Sequence, residues 1–391
     1  MRGVENDSRN GPPVILYLDV NPGQSVKAAK FAGIRRYAEA RGWGACAVPS
    51  AESRPENLAA LLAERKPAGC VVQCRAGASP LLPEAFGSVP VVYLDPAPDF
   101  AGGRAAGVVA DDRAIARLAM RELRALRPAA FAFVGWHTPQ PWSDIREAAF
   151  REEAAAAGLP GLVFPRLPQD RTSRGFRAPR LAAWLSALPR RSAVFAADDA
   201  VAADVSAACR AAGLSVPRDI AIIGVNDIDG GADDAGASET STVSVDHERG
   251  GYRAAAAVAE GSRGGVAFGP LMVVRRKSTG GRGRQEPFVL KALADIRAEA
   301  CDGLAPKDLV PRFRCSRWLF EMRFREATGH SVLDEILHVR LERACAMLAG
   351  GAASVSAVAG MCGFGSYDAM HDLFRRQFGK TPSQFRALHC G

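Results

Sequence analysis

Six short apolar runs recur along the chain up to Val225, and they limit the fold more than any other feature. The runs are Val14–Leu18, Gly69–Val72, Val89–Leu94, Ala130–Gly135, Ala193–Ala196 and Ile220–Val225. A strand with one wet face alternates polar and apolar residues. Continuous runs belong to strands buried on both faces, as in a parallel sheet covered by helices. Between them, segments 26–41, 55–65, 112–126, 144–157, 179–187 and 199–212 are rich in Ala and Leu at helical spacing. Strand and helix in alternation mean a doubly wound α/β architecture. There are too many strands for one compact sheet, so the pattern predicts two α/β lobes.

The pattern stops at Ser278-Thr279-Gly280-Gly281-Arg282-Gly283-Arg284, a composition suited to a linker. Beyond it no strand-like run recurs and the chain reads as helices alone. The expected divisions are a loose polar tail over 1–12, an α/β module over 13–279, a linker over 280–286 and an all-α domain over 287–391. The net charge is +8, and residues 282–391, with sixteen Lys/Arg and twelve Asp/Glu, carry half of it. That bias suits a nucleic-acid partner. No apolar run is long enough to span a membrane, and the first residues lack a secretory-type apolar stretch, so the expectation is a cytoplasmic protein without membrane contact. The nine cysteines are scattered and lack C-x2-C spacing. They read as reduced, core-filling thiols, with neither metal nor cofactor implied.

The helical domain contains two similar units. In the second, Ser354 caps a short apolar helix to Cys362, Gly363-Phe364-Gly365 turns the chain, and Ser366 caps a helix from Tyr367 to Phe378. Met370, Leu373, Phe374 and Phe378 form its inner stripe, leaving Tyr367, Asp368, His371 and Arg375 outside. Ala359 and Gly363 are small where two helices must cross closely. In the first unit Asp308-Leu309-Val310 is the expected positioning helix, and Ser316 caps the next. There Phe320, Phe324 and Ala327 face inward, and Arg317, Trp318, Glu321 and Met322 face out. An apolar stripe from Ser331 to Ala349 predicts a joining helix about 27 Å long, close to one duplex turn. Pro311 inside the first positioning helix, and Arg314 where a turn glycine is usual, leave that unit either displaced or a weaker reader of DNA.

These phrases, with Arg340-Leu341-Glu342-Arg343-Ala344 and the closing Phe374-Arg375-Arg376-Gln377-Phe378-Gly379-Lys380-Thr381-Pro382, resemble the AraC/XylS-type DNA-binding domain over about a hundred residues. The resemblance implies double-stranded promoter DNA as partner, contacted by the eight outward residues named above.

In the α/β module, Ala196-Ala197-Asp198-Asp199-Ala200-Val201-Ala202 and Gly213-Leu214-Ser215-Val216-Pro217-Arg218-Asp219-Ile220 through Asn226-Asp227 resemble the LacI-type regulator core, itself similar to periplasmic sugar-binding proteins. Gly107–Asp112 and Thr240–Val243 look like strands crossing between lobes, and Val273–Thr279 like the closing strand. Carboxylates, a guanidinium and an aromatic face are what hold a neutral polyhydroxy ring. Asp199, Asn226 and Asp227 follow strands, where ligands of α/β sheets sit, and so do Asp19 and Asn21 in the first lobe. Arg146 and Trp142 stand on a helix-entry loop. The lesser alternatives are a helix cap for Asp199 and a loop residue for Asp227, while Trp142 reads equally as packing.

A LacI-like, periplasmic-binding-protein-like sensor followed by an AraC-type reader resembles the xylose operon regulators. It implies a monosaccharide effector, a pentose such as xylose, bound between the lobes. It also implies a homodimer and activation of catabolic genes, with RNA polymerase as a further partner. An enzyme would need a catalytic motif, and no G-x-S-x-G, H-E-x-x-H, Walker loop or post-strand G-x-G-x-x-G occurs. A transport-linked binding protein would not carry a helical DNA-reading tail.

Overall fold

The computed structural model describes residues 12–20, 25–74, 81–96, 100, 106–168, 174–227, 239–261, 266–280, 286–350 and 353–389. All six apolar runs are strands, and among the described residues twelve strands form two six-stranded sheets. The first sheet comprises β1 (Val14–Val20), β2 (Gly44–Pro49), β3 (Gly69–Gln73), β4 (Val91–Leu94), β5 (Ala106–Ala110) and β11 (Val266–Phe268), in the order β11-β5-β4-β3-β1-β2, every pair parallel. The second comprises β6 (Phe131–Val134), β7 (Gly161–Val163), β8 (Ser192–Ala196), β9 (Ile220–Val225), β10 (Ser241–Val245) and β12 (Pro270–Val274), in the order β12-β10-β9-β8-β6-β7. Only β12 runs antiparallel, against β10. The central strands β3, β6, β8 and β9 are buried along their whole length, as unbroken apolar runs require.

Helices α1 (Ser25–Ala40), α2 (Pro55–Arg65) and α7 (His247–Glu260) cover the first sheet. Helices α3 (Asp112–Ala125), α4 (Pro141–Ala156), α5 (Arg174–Ala187) and α6 (Asp199–Ala211) cover the second. Helix α5 begins five residues before Pro179, which lies inside it rather than at its start. The chain passes between the lobes three times, after β5, after β10 and after β11. The passages lie side by side: Asp111 N–H donates to the Phe268 carbonyl at 2.7 Å, and Asp246 N–H to the Gly269 carbonyl at 3.3 Å. At the first two passages an aspartate, Asp111 or Asp246, caps the helix that follows.

From Glu286 onward all described elements are helical: α8 (Glu286–Glu299), α9 (Pro306–Leu309), α10 (Arg317–Thr328), α11 (Val332–Gly350), α12 (Val355–Met361), α13 (Tyr367–Phe378) and α14 (Pro382–His389). The expected linker falls mostly outside the described residues. This domain has two cores. Leu341, Ala344, Leu348, Val358, Met370, Phe374 and Phe385 close around α12 and α13. Val289, Leu293, Ile296, Phe320, Phe324 and Ile336 close around α10, and that core continues into Leu271, Met272 and Val274 of β12. The first helical unit is therefore built onto the second lobe.

Candidate functional site

The three passages between lobes bring the carboxyl ends of both sheets together, where α/β sheets take ligands. From the first lobe, Gln73 ends β3 and Asp95 follows β4. Lys30 of α1 donates to Gln73 Oε1 at 3.0 Å and pairs with Asp95, and Tyr17 donates to the same Gln73 oxygen at 3.1 Å. From the second lobe, Arg146 is 4% exposed, with Nε 2.8 Å from Asp112 Oδ1 and Nη1 2.6 Å from the Ala197 carbonyl. It thus ties α4 to the first passage and to the end of β8. Trp142, one turn earlier, lies under this guanidinium at 4.9 Å and stands 5.8 Å from Trp136.

Asn226 and Asp227 follow β9 with φ of 102° and 53°, a conformation that non-glycine residues hold only where their surroundings fix it. Arg276 fixes Asp227, its Nη2 2.6 Å from Oδ1. His247, the first residue of α7, fixes Asn226 from the opposite lobe: Nε2 lies 3.2 Å from Asn226 Oδ1, which assigns the ring proton to Nε2. Nδ1 is then an acceptor, buried and with no hydrogen-bond partner among the described residues. Asp199 points at its own lobe: a Cβ built on Gly224 would lie 2.2 Å from Asp199 Oδ1. Its neighbour Asp198 caps α6 and feels the charge of Arg146. Asp19, as a side chain, and Asn21 lie outside the described residues.

Crowding sets the charge states. Burial pushes the Asp112 carboxyl up to about 6, against the pull of Arg146 and helped by Asp95 and Asp111. Burial raises Asp198 as well. Burial acts most strongly on Asp95 too, but the charge and hydrogen bond of Lys30, with the hydrogen bond from Gln73, together hold this carboxyl below its ordinary range. His247 falls to about 3, through burial and then the charge of Lys30. Lys30, Gln73, Asp95 and His247 were not among the residues that the sequence singled out. The signal available was a polar residue directly after an apolar run, which marks Gln73 and Asp95 but neither helical residue.

The helical domain shows both helix-turn-helix units. Ser316 accepts from Leu319 N–H at the start of α10, and Ser366 from Ala369 N–H at the start of α13. On α10, Trp318 is 73% exposed and Arg317 is exposed, while Glu321 and Met322 are half-buried. On α13, Tyr367, Asp368 and Arg375 are exposed, and the half-buried His371 ring lies 5.8 Å from Tyr367. Pro311 breaks the first positioning helix into the four-residue α9 and a 3-10 turn over Val310–Phe313. Arg314 takes the left-handed conformation there, φ 45°, where the second unit has Gly363 at φ 75°.

The two turns predict opposite responses. A Cβ on Gly363 would lie 2.7 Å from the Cys301 carbonyl oxygen and 2.8 Å from that of Ala300. Left-handed strain of about 1–2 kcal/mol adds to that collision, so Gly363→Ala is expected to cost about 3 kcal/mol. Arg314→Gly relieves the same strain and is expected to be neutral or stabilising by up to about 1 kcal/mol. Urea unfolding of the two variants checks the pair, and equal losses in both would refute the assignment.

Residues 120–279 match the family described as a periplasmic binding protein-like domain, and residues 309–388 match a helix-turn-helix domain. The xylose operon regulatory protein of Escherichia coli (strain K12) is 27% identical over 290 residues, 72% of this chain and 74% of that protein. Its namesake in Haemophilus influenzae is 25% identical over 291 residues, 72% of this chain and 75% of that protein. A solved structure described as the xylose-binding transcription activator XylR superposes with a TM-score of 0.56 at 22% identity, covering 96% of this chain and 98% of the other. The chain is homologous to the xylose operon regulatory proteins, a DNA-binding transcription regulator in which a periplasmic-binding-protein-like module precedes an AraC-type helix-turn-helix domain.

Proposed function

We propose that the chain binds a neutral monosaccharide, a pentose of the xylose type, between its lobes and responds by reading promoter DNA as a homodimer in the cytoplasm. Activation through RNA polymerase belongs to the same reading. One observation carries the choice of a neutral ligand: among the described residues the cations named at the cleft are already matched, Lys30 with Asp95, Arg146 with Asp112 and Arg276 with Asp227. An ionic effector would have to break such a pair. A polyol needs only hydrogen bonds, and the Nδ1 acceptor of His247 offers one to a hydroxyl. Trp142 then packs against a ring, Arg146 and Asp198 hold hydroxyls, and Asp19, Asn21, Asp199, Asn226 and Asp227 stay in the candidate set. Arg317, Trp318, Glu321, Met322, Tyr367, Asp368, His371 and Arg375 would meet DNA. The domain limits 1–12, 13–279, 280–286 and 287–391 complete the proposal.

The test is a thermal-shift screen of D-xylose, L-arabinose and D-ribose on the full chain, followed by DNA binding at two salt concentrations. A sugar at a hundred times its dissociation constant should stabilise by about 2.7 kcal/mol. Affinity for a duplex selected from a random library should fall about 10³-fold or more between about 50 mM and about 200 mM salt, because bound Lys and Arg release counterions from the phosphates. If no monosaccharide shifts the transition, the effector assignment fails. If the salt slope is flat, the DNA-reading assignment fails.

A further inference from the structure

The helical domain grips the two lobes by different means. To the second lobe it is joined by an apolar core shared between β12, α8 and α10. To the first lobe it is joined by one small apolar contact, Ala346 of α11 in that lobe's core, by the Tyr252 hydroxyl donating to the Glu342 carbonyl, and by a network of charge. Arg249 of α7 reaches Glu342 Oε1 at 2.9 Å and Glu335 Oε1 at 3.3 Å, both on α11. Arg297 of α8 reaches Asp246 at 2.7 Å and Glu248 at 3.1 Å. Arg36 of α1 reaches Glu248 at 3.1 Å and Glu342 at 4.0 Å, and Arg253 reaches Glu342 at 3.8 Å. Four guanidinium groups thus meet four carboxylates in a neutral seam. An apolar core holds one geometry, whereas ion pairs can exchange partners when one side slides.

Helix α7 connects this seam to the cleft. Asp246 and Arg249 face the helical domain, while His247 between them bonds Asn226 of the opposite lobe. A rotation of one lobe on the other must change the His247–Asn226 contact. It must also move the start of α7 against a helical domain that is fixed to β12. We propose that Arg249 is a positioning residue that couples the state of the cleft to the placement of α11, and through α11 of both helix-turn-helix units. That a sugar drives the rotation rests on the proposed function. The mechanical link does not.

A double-mutant cycle on the full chain tests the link with neither sugar nor DNA present, so a failed sugar screen leaves its outcome readable. The variants are His247→Phe, which removes the bond to Asn226, Arg249→Gln, and the pair. The readout is hydrogen exchange of the backbone amides of α11. Coupling predicts that His247→Phe changes these rates at least tenfold when Arg249 is present and less than twofold when it is replaced. A purely structural Arg249 would give effects that multiply, and that result overturns the proposal. If Arg249→Gln does not fold, Glu342→Gln cuts the seam from the other side and is held to the same criterion. Arg249→Lys keeps the charge without the planar fork and should restore part of the coupling.

Discussion

Gly33→Ala and Gly251→Ala are each expected to destabilise the chain by about 4 kcal/mol or more, which places them among the exceptional point mutations. Helices α1 and α7 cross backbone to backbone. A Cβ on Gly33 would lie 1.8 Å from the Glu248 carbonyl oxygen, and one on Gly251 would lie 1.8 Å from that of Lys30. Overpacking against side chains costs about 1–3 kcal/mol because they can turn aside. Carbonyl groups inside a helix cannot. Relief requires the helices to separate, and separation breaks the edge contact of Tyr37 with Tyr252 at 5.2 Å and the stacking of Arg36 on Tyr252 at 4.7 Å. The sign makes this a clear measurement. On an open helix surface Gly→Ala stabilises by about 1 kcal/mol. Urea unfolding of both variants against wild type decides, and a change within about 1 kcal/mol of zero would mean that the crossing is looser than described.

The same glycines explain what the sequence concealed. Every apolar run was a strand, because a strand buried on both faces writes its environment into consecutive residues. Helix α7 was missing from the expected segments. Its Gly250-Gly251 pair lowers helix propensity, and packing offsets that loss: Gly251 lets the Lys30 carbonyl of α1 approach, and Gly250 sits against the Phe268 ring. Strands β2, β7 and β11 were missed for a related reason: they lie at sheet edges, are only partly buried and carry weak apolar runs. The cleft was half legible. Arg146, Asn226 and Asp227 were read from local phrases, but Lys30, Gln73, Asp95 and His247 come from four separate elements that only the three passages bring together. Of the adjacent aspartates, the strand end alone did not decide which faces Arg146. Asp199 packs against Gly224, and Asp198, which caps α6, feels the charge of Arg146.

Acidification should expose two opposed linkages at the cleft, nearly hidden in wild type and large in single variants. His247 has a folded pKa of about 3 against an ordinary 6.5. As the pH falls below 6.5 the unfolded chain takes up a proton that the native state refuses, so native stability drops. From about pH 7 to about pH 4 this linkage removes about 3 kcal/mol. Asp112 works the other way. Its folded pKa of about 6 lies above the ordinary 3.8, so between those values the native state binds the extra proton and gains stability as the pH falls. Over the same range this restores about 2 kcal/mol. The two leave wild type with a net loss of about 1 kcal/mol from this pair. His247→Gln removes the destabilising linkage, so its stability relative to wild type should rise by about 3 kcal/mol on acidification. Asp112→Asn removes the compensating one, and its relative stability should fall by about 2 kcal/mol. Asp95 and Asp246, held low by Lys30 and by Arg297 with Arg249 despite their burial, begin to lose stability only from about pH 5 downward, as the unfolded carboxyls take up protons, and remove no more than a few tenths of a kcal/mol each by about pH 4, equally in all three proteins. Urea unfolding at intervals of about half a pH unit gives three curves. Curves for the two variants that stay parallel to wild type would show that neither group titrates as the crowding of charge at the cleft requires.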